Sequence, residues 1–143
     1  MKKLFFVVLS VCTFSFCYSQ QQADDITTGV FLRKDGKSKV QFFKSGETYS
    51  AKIVWLKVPY DKDGKPHIDK KNPDKKLQTR PIMGMVIITG LRFIGNGEYV
   101  GGQCYRPTDG DEVKLKVKLS VNGELDVTGS KFGISKTEKW QRE

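Results

Sequence analysis

The chain is short of the residues that build metal or disulfide frameworks. It holds one His and three Cys in 143 residues. One His is too few for a His-rich metal site, and three Cys are too few for a disulfide scaffold. Acidic residues are outnumbered, 16 against 25 basic ones, for a formal charge of +9. No apolar run approaches the roughly 18 residues of a membrane-spanning helix, so none is expected. Glycine-rich phosphate loops are also missing, because Gly95-Asn96-Gly97 and Gly101-Gly102 lack a strand-to-helix setting. What is present is 14 Gly and 11% aromatic residues, the composition of a turn-rich folded chain of single-domain length.

The first residues read as a targeting segment. Lys2 and Lys3 precede an apolar stretch from Leu4 to Phe16, and small residues before Ser19|Gln20 mark a cleavage point. We expect residues 1–19 to be a signal peptide for Sec export to the periplasm or beyond, 20–25 a flexible N-terminus, and 26–143 the domain. Val11 and Phe16 precede Cys12 and Cys17, which disfavours a lipid anchor. Loss of 1–19 leaves 124 residues at +7 with Cys104 alone, so no internal disulfide is expected.

The remainder alternates with period two. Val113, Leu115, Val117 and Leu119 face Lys114, Lys116, Lys118 and Ser120 across one strand. Tyr49, Ala51, Ile53 and Trp55 line one face of another. Asp35-Gly36, Asn96-Gly97, Asp109-Gly110 and Asn122-Gly123 supply tight turns, and Ser45-Gly46-Glu47 a slightly longer one. Strands are predicted near 26–34, 38–44, 48–57, 82–89, 90–95, 98–105, 112–120, 124–130 and 134–142. The Phe42-Phe43 pair suggests a bulge or a strand end. Eight or nine sequential strands with short turns predict an all-β, up-and-down antiparallel β-barrel, with an open sandwich as the alternative.

One connection is long. Residues 57–81 carry eight Lys or Arg and four Asp. Connections of this length are uncommon and often functional. Asn72 is positioned to cap a helical turn that starts at Pro73. Asp61-Lys62-Asp63-Gly64 is an Asp-Gly turn and not a calcium loop, since Pro59 and Lys70 fall where carboxylates would be needed. His67 and Cys104 would form a base and nucleophile only if folding joined them, and we expect a loop His and a buried strand Cys. Candidate ligand contacts are Trp55, Tyr60, Asn72, Arg80 and Tyr105. Trp55 and Tyr105 are expected first as core-filling residues. Arg80 is expected to tie the loop to the barrel rim, with Asn72 and Asp74 as partners, or to grip an anionic ligand.

The run Lys52-Ile53-Val54-Trp55-Leu56, then Pro59, Asp61-Lys62-Asp63-Gly64-Lys65-Pro66, Asp69, Asn72-Pro73-Asp74, Leu77, Arg80-Pro81-Ile82 and Gly84, resembles the signature of the bacterial family known as domain of unknown function 2147. Gly101-Gly102, Tyr105, Pro107 and Lys139-Trp140-Gln141-Arg142 resemble it too. The resemblance implies small exported bacterial proteins with a fold like the lipocalin barrel, and no established activity. Gly29-Val30-Phe31 stands where lipocalins carry Gly-x-Trp, and Arg142 where they place an Arg over that Trp. Tyr49-Ser50-Ala51-Lys52 and Cys104 depart from the family pattern.

These features lead to a first expectation of a non-enzymatic binding module for a small apolar or amphipathic ligand, with the long loop covering one end. The alternative is a cell-envelope or stress protein that contacts anionic lipid or glycan through loop 57–81. A hydrolase is the third. No cofactor, no metal and no nucleic-acid partner is expected, and the protein is read as a monomer.

Overall fold

The computed structural model describes residues 25–143. The expected signal segment 1–19, and the following stretch up to residue 24, lie outside the described residues. Eight strands form one closed antiparallel barrel in sequence order. They are β1 (Phe31–Leu32), β2 (Ser38–Ser45), β3 (Thr48–Leu56), β4 (Val86–Gly95), β5 (Glu98–Arg106), β6 (Asp111–Leu119), β7 (Leu125–Lys131) and β8 (Ile134–Arg142). β1 pairs with both β2 and β8 and closes the wall.

The alternation foreseen for β6 is realised. Leu115, Val117 and Leu119 are buried, while Lys114, Lys116 and Lys118 are exposed. Two hairpins turn on paired positive φ values, Asn96-Gly97 at 51° and 72° and Phe132-Gly133 at 52° and 82°. Both match the turn whose twist suits adjoining strands. Asn tolerates that conformation, whereas Phe132 adopts it at a steric cost.

Three departures from the sequence expectation have local causes. The predicted strands 82–89 and 90–95 are one strand, β4. Its register against β3 slips between Tyr49↔Leu91 and Ala51↔Ile88, and Gly90 at φ 74° sits at the slip. A glycine that signalled a break is a bulge inside a continuous strand. β1 is far shorter than 26–34, because the Asp25 carboxylate and carbonyl hold Thr27 and Thr28 in a turn. Trp55 is not a core residue. A bulge lets Val54 and Trp55 together span one step of β2, between Val40↔Ile53 and Lys39↔Trp55, so Trp55 faces outward and is 38% exposed. Phe42 and Phe43 lie within regular β2, so the bulge of that pair of strands falls elsewhere, at Lys39/Val40.

The long connection between β3 and β4 does not cover an end of the barrel. Cys104 points inward on β5, so its neighbour Tyr105 points outward, and Tyr105 Oη donates to Asp69 Oδ1 of the connection at 2.6 Å. Residues 69–80 therefore pack on the outer wall of β4 and β5. Only the returning end joins the core, through Ile82 and Met85. Within the connection, Tyr60 pairs with Pro66 and Ile68 with Pro81. A short 3-10 turn, Lys75–Leu77, is capped by Asp74 and not by Asn72. Asn72 Oδ1 instead accepts the Asp74 N–H, one step earlier.

Candidate functional site at the open end of the barrel

The two ends of the barrel differ. At one end Arg142 pairs in register with Phe31, and its guanidinium lies 5.3 Å from the Phe31 ring centroid. This is the closure implied by the lipocalin-like placing of Gly29-Val30-Phe31. Gly29, at φ 98°, allows it, because a Cβ there would stand 3.3 Å from Arg142 Cγ. Ile26 is fully buried at the same end, and its N–H donates to Tyr99 Oη at 3.4 Å. Tyr49 and Tyr99 complete the seal edge to face at 5.1 Å.

The other end is open. A cavity of about 430 Å³ enters the barrel on the side of β5 to β8. That volume lies toward the lower part of the range for small-ligand pockets. Its apolar wall is Cys104, Val113, Leu115, Val127 and the indole of Trp140. Its polar groups are Arg33, Arg106, Ser130, Lys131, Lys136 and Glu138. The Arg33 guanidinium lies 5.5 Å from the centroid of the Trp140 ring. Ion pairs account for much of the charge. Arg106 Nη2 binds Asp109 at 2.8 Å and Asp111 at 3.3 Å. Lys131 binds Asp111 at 2.7 Å, and Lys136 binds Glu138 at 3.1 Å. Burial pushes the Cys104 thiol above its usual pKa, an effect opposed by the positive charges of Arg33 and Arg106. The thiol is thus a wall group and a poor nucleophile. His67 belongs to the outer connection, so the fold does not join it to Cys104. Among the described residues, no group of three or more His, Cys, Asp or Glu could hold a metal ion.

Three of the five predicted contacts meet elsewhere. Asp69, fully buried, accepts from Asn72 Nδ2 at 2.8 Å, from Arg80 Nε at 3.0 Å and from Tyr105 Oη. Arg80 Nη2 adds a second contact at 3.0 Å, so the carboxylate is gripped by a guanidinium fork. Burial, then the bond to Asp69 and its charge, push the Tyr105 hydroxyl up to about 12. Arg80 does tie the connection to the barrel, but through Asp69 and not through Asp74. Asn72, Arg80 and Tyr105 border an outer groove of about 390 Å³. Trp55 lies on the outer face of β3 beside Lys39, 5.0 Å from the ring centroid, and Tyr60 is exposed in the connection. None of the five lines the barrel cavity. A larger outer groove, about 540 Å³, crosses the outside of β1 and β8, with Leu32, Arg33, Lys34, Asp126, Thr137 and Gln141 among its lining.

Arg33, Arg106 and Trp140 stand out among the cavity residues, none of which was selected from the sequence. Their signal was parity. Arg33 shares the inward face with Phe31, Arg106 with Cys104, and Trp140 with Glu138.

All seven Lys of the connection, from Lys57 to Lys76, are exposed. None of the ion pairs among the described residues involves them. Asp61 and Asp74 serve backbone groups instead. Asp61 Oδ1 accepts the N–H of Asp63 and of Lys65, both at 2.9 Å. These bonds, that from Lys65 foremost, lower its pKa. No helix among the described residues is long and apolar enough to cross a membrane.

An eight-stranded up-and-down barrel, sealed at one end by Arg over an aromatic ring and hollow at the other, is a lipocalin-like fold. The chain belongs to the family described as an uncharacterized protein conserved in bacteria, domain of unknown function 2147, whose model matches residues 29–142. Among solved structures it is similar to protein HP1028 from the human pathogen Helicobacter pylori, which is described as belonging to the lipocalin family. The two share 30% identity over 83% of each chain, with a TM-score of 0.70. No curated protein matches the chain.

Proposed function

We propose that this protein is a non-enzymatic binding module that holds a small apolar or amphipathic ligand in the open end of its barrel. The single observation that carries this reading is the cavity of about 430 Å³ with its wall of Leu115, Val127 and Trp140. The interior is filled toward the sealed end and hollow toward the other, the arrangement that leaves room for one small guest. Export fits the reading. Residues 1–19 have the charge and apolar pattern of a signal peptide, and a monomeric periplasmic or secreted carrier needs no cofactor. The test is binding of an environment-sensitive amphipathic dye, such as 1-anilinonaphthalene-8-sulfonate. Leu115→Trp should fill the cavity and abolish saturable binding while the barrel stays folded. Saturable binding unchanged in that variant would overturn the reading.

A second reading has its own observation. Seven unpaired lysines on the connection lie among exposed Val58, Tyr60 and Leu77. This is the composition of a surface that settles on anionic lipid. Replacing Lys70, Lys71, Lys75 and Lys76 with Gln should abolish binding to phosphatidylglycerol vesicles. Retained binding would remove this reading.

A further inference from the structure

We propose that the ligand of the barrel cavity is an amphiphile with a single carboxylate, and that Arg33 and the Trp140 indole N–H receive that carboxylate. The inference rests on the cavity being a ligand site and specifies the chemistry of the ligand.

The argument starts from hydrogen bonds left unmade. Three buried side-chain nitrogens that border the cavity have no hydrogen-bond partner: Arg33 Nε, Arg106 Nε and Trp140 Nε1. All three are N–H donors. A buried donor without an acceptor carries a desolvation penalty, and native proteins leave few of them. Three such donors around one cavity, with Arg33 directly after β1 and Trp140 on the neighbouring stave β8, call for a guest that brings acceptors.

Charge selects the acceptor. Arg106, Lys131 and Lys136 are each matched by Asp109, Asp111 or Glu138. Arg33 takes part in none of the ion pairs among the described residues. Its one ring contact is the face of Trp140, which holds the guanidinium in place without neutralising it. The cavity thus presents one unbalanced positive charge, and a monoanion balances it. Glu138, on β8 beside Trp140, is already matched by Lys136. A planar carboxylate suits the guanidinium fork and leaves an oxygen for an indole N–H. The apolar wall of Val113, Leu115 and Val127 takes the rest of the molecule.

The experiment compares three probes of one chain length, dodecanoate, dodecanol and dodecylamine, by displacement of the dye and by calorimetry. Dodecanoate should bind the full chain about tenfold or more tightly than dodecanol, as expected of a charge-assisted bond in a shielded site, and dodecylamine least well. Arg33→Gln should erase the preference of acid over alcohol and leave dodecanol binding unchanged. Arg33→Lys should keep part of the preference. Trp140→Phe should weaken dodecanoate several-fold and leave the alcohol nearly unaffected. Thermal unfolding of each variant separates lost folding from lost recognition. Equal binding of acid and alcohol would overturn the inference and leave the ligand site standing. Failure of dye and of all three probes to bind would overturn both. A preference that survives Arg33→Gln would also sink the assignment.

Discussion

Tyr105 and Asp69 are 36 positions apart and meet at 2.6 Å, hydroxyl to carboxylate, through the barrel's outer wall surface. That bond, with the fork from Arg80, converts a charged 25-residue connection into a fixed strap on β5. Asp69 is fully buried and Arg80 is 36% exposed on its side chain, so the ion pair is half shielded.

Asp69→Asn should therefore loosen the connection and destabilise the fold. Arg80 and Tyr105 would face an amide in place of the carboxylate they donate to. The expected loss is about 2–4 kcal/mol, below that of a fully buried pair because Arg80 keeps some water. Urea unfolding measures it, and amide exchange over 69–80 should rise before global unfolding.

Alkaline pH should act on the same bond. The hydroxyl of Tyr105 is raised from 10.0 to about 12, so between those values the folded state keeps a proton that the unfolded chain has lost. Stability is then full below pH 10 and falls as pH rises toward 12. Tyr105→Phe removes that part of the slope. Tyr99, raised chiefly by burial, contributes in the same direction and remains in the variant. Stability curves of the two proteins across this range check the prediction.

Gly110→Ala should detach the strap from the other side. Gly110 has φ 77°, and a Cβ there would lie 2.0 Å from the Lys71 carbonyl oxygen. Neither backbone can yield without the other moving. We expect a loss of at least about 1–3 kcal/mol in thermal unfolding, with faster proteolysis of the Lys-rich segment.

Phe132→Asn should do the opposite. Phe132 is 92% exposed and has φ 52° in the β7–β8 turn. Asn accepts that conformation and gives up no buried area, so unfolding should shift up by about 0.5–1 kcal/mol.

Cys104 should resist labelling. Its side chain is buried and its thiol is raised, so peptide-resolved alkylation at pH 8 should be slow in the native protein and rapid in urea. No disulfide dimer should form through it. Fast native labelling would contradict the buried setting.

The strand plan was legible in the sequence to within a residue or two wherever a turn has its own chemistry, as at Asn96-Gly97 and Asn122-Gly123. It failed where a bulge changed parity. Trp55 continues the alternation of Tyr49, Ala51 and Ile53, and nothing in that spacing reveals the extra residue that turns it out. Gly90 announced an interruption, yet a glycine reads alike in a bulge and at a strand end. The candidate site was legible in part. Arg80, Asn72 and Tyr105 do come together, but Asp69 organises them, and a buried Asp among lysines cannot be told from a solvated one by sequence. Arg33 and Arg106 escaped notice because a charged residue on an inward face is an exception to the pattern used to find that face.

β1 spans only Phe31–Leu32, yet it is the sole stave between β2 and β8. The hoop is therefore thinnest at one seam, where the fewest backbone bonds must break for the wall to part. Arg33 follows directly on that stave, so the group that would greet a ligand stands beside the wall's easiest hinge. The stiffness of the cylinder at that seam therefore rests on two residues.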